Sequence, residues 1–145
     1  MYLLIDIGNT RTKYGCHDGQ GWLCRGILVG ETLALPEGFR PVRILASCVA
    51  GPEAAQALRE RLAPLETPVE FPEASSDDAG FQCAYENPSK LGPDRWAAAI
   101  GAWDRVGGDC LVVNAGTATT IDLVRSPGRF EGGVILPGLS LMRES

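Results

Sequence analysis

Histidine is almost absent from this sequence, with His17 the single instance, and none of the five cysteines forms a C-x-x-C pair. His-rich metal centres are thereby excluded, and the zinc ribbons that need paired thiolates have no starting point. Cys16, Cys24, Cys48, Cys83 and Cys110 are odd in number and scattered, the pattern of a reduced intracellular protein rather than of a disulfide framework. A Ser-His-Asp triad would have to use His17, which falls in a surface hairpin. No apolar run approaches the length of a membrane span. The opening Met1-Tyr2-Leu3-Leu4-Ile5-Asp6 meets an acid too soon, and without a basic leader, for a signal peptide. It reads as the buried first strand of a cytoplasmic protein. Positive charge is in deficit too: 13 Lys and Arg against 18 Asp and Glu give a net charge of −5. That speaks against a nucleic-acid surface, but not against a nucleotide, which a few local donors and a metal can hold. What remains is ordinary: 45% hydrophobic and 21% charged residues, enough for a real core.

The order of elements contains a repeat. Residues 2–7 predict a central strand, Gly8-Asn9 a turn, residues 11–17 a second strand, and Trp22 to Val29 a third. A strand over Val42 to Cys48 and a helix over Pro52 to Leu62, with proline in its first turn, come next. A short strand is expected at Val69 to Phe71. Residues 72–93, rich in Pro, Ser, Asp and Gly, predict a long functional loop, and a helix runs from Pro93 to Val106. The opening pattern then returns as strands over Asp109 to Val113, Ala118 to Val124 and Phe130 to Leu136, with the start of a helix from Leu139. Asp6-Ile7-Gly8-Asn9-Thr10 and Asn114-Ala115-Gly116-Thr117 occupy the same place in the two meanders. A duplicated meander implies two similar lobes facing a cleft, the first over residues 1–107 and the second beginning at 108–145. The second is too short to cover its own strands, so the chain is expected to be a fragment.

Each glycine turn has two readings. Asp6-x-Gly8-Asn9-Thr10-x-x-Lys13 offers backbone N–H groups, a hydroxyl, a lysine and a carboxylate for Mg²⁺. It would also serve as a plain hairpin turn, where Gly and Asn dominate anyway. Asn114-x-Gly116-Thr117 carries the same ambiguity. Two such turns in register favour the phosphate reading, because phosphoryl transfer needs mainly positioning and charge neutralisation. Gly132-Gly133-x-Ile135-x-Pro137-Gly138 is a third glycine-rich element or simply a bulged strand end. Asp94 and Arg95 fall in the first turn of a helix, where an acid is favoured in any protein. The functional alternative makes Asp94 the acceptor of a substrate hydroxyl's proton and Arg95 a carboxylate anchor. The Trp96, Ile100, Trp103 stripe reads as core packing.

Four ordered motifs, Asp6-Ile-Gly-Asn-Thr, Tyr85-x-x-Pro88-x-x-Leu91-Gly92-x-Asp94-Arg95, Gly116-Thr117-Ala-x-Thr120-x-Asp122 and Gly132-Gly133-x-Ile-x-Pro137-Gly138-x-x-Leu141-Met142, resemble the type III pantothenate kinases. The likeness covers essentially the whole chain and is strongest with the proteobacterial branch that includes Bvg accessory factor. The resemblance implies an α/β fold of the actin, Hsp70 and sugar-kinase class, with a mixed sheet opening in a three-stranded meander. It implies a homodimer and ATP-dependent phosphorylation of pantothenate, the first step of coenzyme A synthesis. By position, Asp6, Ile7, Gly8, Asn9, Thr10, Arg11, Thr12 and Lys13 would bind ATP, with Asp6 on Mg²⁺, and Gly116 and Thr117 would be further ATP contacts. Tyr85, Gly92, Pro93, Asp94 and Arg95 would form the pantothenate pocket, with Asp94 catalytic. A monovalent cation, K⁺ or NH₄⁺, would sit by an aspartate whose place is taken here by Asn114. That substitution keeps a carbonyl ligand and loses the charge. It favours an alternative function, a non-catalytic nucleotide-binding regulatory homologue; a phosphohydrolase on the same superfold is the third reading. Without a complete second lobe, the chain alone is not expected to be an efficient kinase.

Overall fold

The computed structural model describes residues 1–28, 33–78 and 80–144. The chain divides into two compact units, Met1–Pro72 and Glu73–Ser145. The boundary expected at 107/108 lies inside the second unit, where the helix before it packs on the strands after it.

In the first unit, β1 (Tyr2–Ile7) alternates as a half-buried strand should, with Leu3, Ile5 and Ile7 in the core. It pairs antiparallel with β2 (Thr12–His17), which pairs with β3 (Trp22–Ile27). On its other edge it pairs in parallel with β4 (Arg43–Cys48), beside which lies β5 (Val69–Glu70). The sheet order β3-β2-β1-β4-β5 is therefore mixed and opens in the expected meander. Helix α1 (Pro52–Leu62) begins at its proline and buries Leu58 and Leu62 against the sheet's Leu3, Ile5, Ile44 and Ala46. The third strand's predicted end, Val29, lies outside the described residues, as does Ser145.

The second unit has the order β6-β7-β10-β9-β8, from β6 (Asp77–Asp78), β7 (Phe81–Cys83), β8 (Cys110–Ala115), β9 (Ala118–Arg125) and β10 (Arg129–Pro137). The predicted loop over 72–93 is thus partly strand. Phe81 explains this, because burying its ring beside Trp96 draws the segment along β10. Two further bounds shift: Asn114 and Ala115, read as turn, extend β8 by pairing with Thr120 and Thr119. Helix α2 (Pro93–Val106) covers one sheet face with Trp96 and Ala99, and Ile100 and Trp103 pack against the same core, as the stripe predicted. It ends at Gly107, whose φ of 66° permits the left-handed cap and an N–H bond to Trp103 O. A short helix α3 (Leu139–Glu144) closes the unit. The opposite face of the meander, with Leu111, Val113, Leu123 and Val134, is exposed. Both units are α/β with mixed sheets, the arrangement expected of the actin and sugar-kinase class. No helix among the described residues is long and apolar enough to cross a membrane.

Candidate functional site

In the first unit the expected phosphate residues gather at one end of β1. Asp6 and Lys13 are cross-strand partners, which brings Lys13 Nζ to 3.8 Å from Asp6 Oδ2. From the other side β4 sets Ser47 opposite Asp6, and Ser47 Oγ donates to Asp6 Oδ1 at 2.7 Å. Both carboxylate oxygens are thus oriented while the side chain stays partly exposed. Gly8 N–H closes the turn by donating to Arg11 O at 3.1 Å, and a Cβ on Gly8 would press on that same oxygen at 3.2 Å. Asn9, Thr10 and Arg11 form the exposed tip, and Thr12 resumes the strand. Ile7 is different: its side chain is core and its carbonyl accepts from Val49 N–H at 3.1 Å.

In the second unit two features meet at the strand ends of the meander. Gly116 N–H donates to Ala118 O at 3.0 Å, and Gly138 N–H donates to Thr117 O at 3.0 Å. The third glycine-rich element thus does two things. Gly132, with φ of 121°, sits at a register shift, which is the bulge reading, while Gly138 ties β10's end to the Gly116-Thr117 turn. Asn114 Nδ2 donates to Thr120 Oγ1 at 3.3 Å, so its amide faces the neighbouring strand β9. No cluster of three or more His, Cys, Asp or Glu side chains arranged for a metal occurs among the described residues.

The Tyr85–Arg95 segment is built around one buried ion pair. Asn87 Oδ1 accepts from Ser89 N–H and Oγ–H, closing a tight turn, and Gly92 and Pro93 start α2. Asp94 is half-buried in the first helical turn, and Arg95 beside it is buried. Arg95 Nε lies 3.1 and 3.2 Å from the two oxygens of Asp122, and Arg95 Nη2 also donates to Asp122 Oδ1. Hydrogen bonding to Asp122 holds the guanidinium above its ordinary pKa; burial opposes this, and the charge of Asp122 and the contact with Tyr85, itself a hydrogen-bond partner, add to it. Arg95 Cζ also stands 5.7 Å from the Phe130 ring, against which Tyr85 packs edge-on at 5.7 Å. The structure therefore joins Tyr85, Arg95 and Asp122, and separately Gly116, Thr117 and Gly138.

Two residues have no role assigned from sequence, Ser47 and Asp122, and Gly133 is read there only as part of the third glycine-rich element. Asp122 carried a signal, since in a period-two strand it shares the inward face with Thr120 and Val124. A carboxylate in that place needs a partner.

A model of the family described as type III pantothenate kinase matches residues 2–145. The chain belongs to the type III pantothenate kinase family. Proteins named type III pantothenate kinase from Aromatoleum aromaticum (42% identical, covering 100% of this chain and 62% of that protein), Nitrosospira multiformis (40%, 99% and 57%) and Nitrosomonas eutropha (42%, 99% and 58%) are similar to it. The chain thus spans about three fifths of the length of these pantothenate kinase relatives.

Proposed function

We propose that the protein carrying this chain is an ATP-dependent pantothenate kinase, which transfers the γ-phosphoryl group to pantothenate and yields 4'-phosphopantothenate for coenzyme A synthesis. The observation that carries the reading is Asp94 and Arg95 side by side on the first turn of α2, with Arg95 held against Tyr85's neighbour Phe130. In this reading Arg95 takes the substrate carboxylate, Tyr85, Gly92 and Pro93 line the pocket, and Asp94 accepts the hydroxyl proton as the phosphoryl group arrives. Residues 6–13 in the first unit, and the Gly116-Thr117 turn in the second, each offer donors of the kind that ATP phosphates take. Asp6, oriented by Ser47, fits Mg²⁺, which needs one or two carboxylates when phosphate oxygens supply the rest, and which would neutralise developing charge there. The Asn114 amide oxygen would serve K⁺ or NH₄⁺. Family membership supports a cytoplasmic homodimer.

A coupled assay on the intact gene product tests this. Phosphopantothenate forms with the native protein, and Asp94→Ala lowers kcat at least 100-fold with little change in ATP affinity. Native protein that releases phosphate without pantothenate would instead make it a phosphohydrolase. The neutral Asn114 supports a second reading, a nucleotide-binding homologue without turnover, for which ATP binds and no phosphopantothenate appears.

A further inference from the structure

We propose that Asp122 is a positioning residue for substrate, fixing the Arg95 guanidinium so that its remaining donors receive the pantothenate carboxylate, and that Gly133 is glycine to make room for it. The proposal rests on the pantothenate-kinase reading above.

Asp122 is fully buried in the middle of β9. It occupies one edge of the guanidinium, Nε and Nη2, with both of its oxygens. A planar five-donor group held along that edge has one orientation left; Tyr85 is a second side-chain hydrogen-bond partner of the guanidinium, and the donors that neither residue takes are the ones left for a ligand. Phe130 lies against the guanidinium and Tyr85 against Phe130, so edge and surroundings are both set before substrate arrives.

As a device for stability the pair has little to recommend it. Two apolar side chains would fill the same space beside Trp96, Phe130 and Val124 as well or better, because a buried ion pair barely recovers its desolvation cost. What an apolar pair cannot do is aim hydrogen-bond donors. Asp122 also neutralises much of the Arg95 charge. The substrate carboxylate is then held by directed bonds rather than by a bare buried cation, and selectivity falls on geometry.

Gly133 belongs to the same device. It faces Asp122 across the β9–β10 register. A Cβ there would lie 2.8 Å from Asp122 Cα and closer still to Asp122 Oδ1 and Ile121 O. Any larger residue would have to move the backbone of β9, the carboxylate that holds Arg95, or both.

The test is steady-state kinetics on the intact protein with Asp122→Asn, Arg95→Met and the double variant. The expected result is a tenfold or greater rise in the pantothenate KM for Asp122→Asn, with the ATP KM within twofold of native. In the Arg95→Met background, adding Asp122→Asn changes nothing further. With an amide analogue of pantothenate lacking the carboxylate, Asp122→Asn and native protein should perform alike. A folded Asp122→Asn protein with unchanged pantothenate KM, or with both KM values raised equally, overturns the proposal and leaves the kinase reading intact. Native protein that never phosphorylates pantothenate overturns the kinase reading, and this proposal with it. Should Asp122→Asn fail to fold by circular dichroism, Asp122→Ser, smaller and still an acceptor, carries the same comparison with the same outcomes.

Discussion

Gly138 is the residue whose replacement should couple stability to nucleotide binding most directly. A Cβ added there would lie 2.5 Å from the Thr117 carbonyl oxygen and closer still to that of Gly116. These contacts are about 1 Å inside the ~3.5 Å at which non-bonded atoms attract. The obstructing atoms are backbone, so no side-chain rotation relieves them. Either β10's end or the 116–117 turn must move, and the Gly138 N–H bond to Thr117 O goes with it. Losing that bond costs about 1 kcal/mol, and overpacking adds ~1–3 kcal/mol. For Gly138→Ala the sum is about 2–4 kcal/mol, a Tm fall on the order of 4–16 °C for a protein of this class size. Gly101 is the matched control. It lies inside α2 with nothing within 4 Å of its would-be Cβ, so Gly101→Ala should stabilise by ~0.5–1 kcal/mol. Thermal melts of the intact protein, each paired with an ATP titration, read both effects. Gly138→Ala should lower Tm and weaken ATP binding, while Gly101→Ala raises Tm and leaves ATP binding alone. A Gly138→Ala protein as stable and as tight for ATP as native would refute the close approach of β10's end to the second glycine turn.

Burial, and then the neighbouring Cys24, push the Cys16 thiol up to about 12. Because the folded value exceeds the unfolded one, this stability is complete below about pH 9. It is lost at ~1.4 kcal/mol per pH unit as pH rises towards 12. Urea melts between pH 8 and 10.5 should show a steeper loss for native protein than for Cys16→Ala, and equal slopes would contradict the burial. At Asn114, substitution by aspartate adds the missing charge and lets Thr120 Oγ donate rather than accept. The K⁺ concentration for half-maximal activity should fall about tenfold, or ~1.4 kcal/mol; an unchanged K⁺ requirement would show that the replacement does not matter.

Much of this architecture could be read from local pattern. Both long helices start at a proline in a favourable first-turn position, and their bounds at 52–62 and 93–106 fall where the sequence put them. The meanders followed from Gly-containing turns between apolar runs. Where the reading missed, the deciding partner was distant. Phe81 makes residues 81–83 a strand only because Trp96 and β10 are there to receive it, and a segment rich in Pro, Ser and Asp carries no hint of that. Asn114 and Ala115 looked like turn residues, yet the β9 register extends β8 through them. Ser47 reaches Asp6 only through the parallel β1–β4 pairing, which no local signal announces.

The glycines of β10 show why a motif can be recognised without being understood. Gly132, Gly133 and Gly138 stand within seven positions and in sequence are the same letter. In the fold they answer three different demands. Gly132 supplies a backbone conformation, since its φ of 121° at the register shift is open to little else. Gly133 has no such φ; it is small because β9 places Asp122 directly opposite. Gly138 is small because the 116–117 turn leans its carbonyls into that place. The first demand belongs to the residue's own backbone, so turn rules can find it. The other two are set by atoms of a neighbouring segment, most of them backbone, and show only once the segments are paired. Asp122→Asn and Gly133 therefore probe one device, Gly138 and the Gly116-Thr117 turn another, and effects within each pair should be strongly non-additive, while effects between the pairs should add.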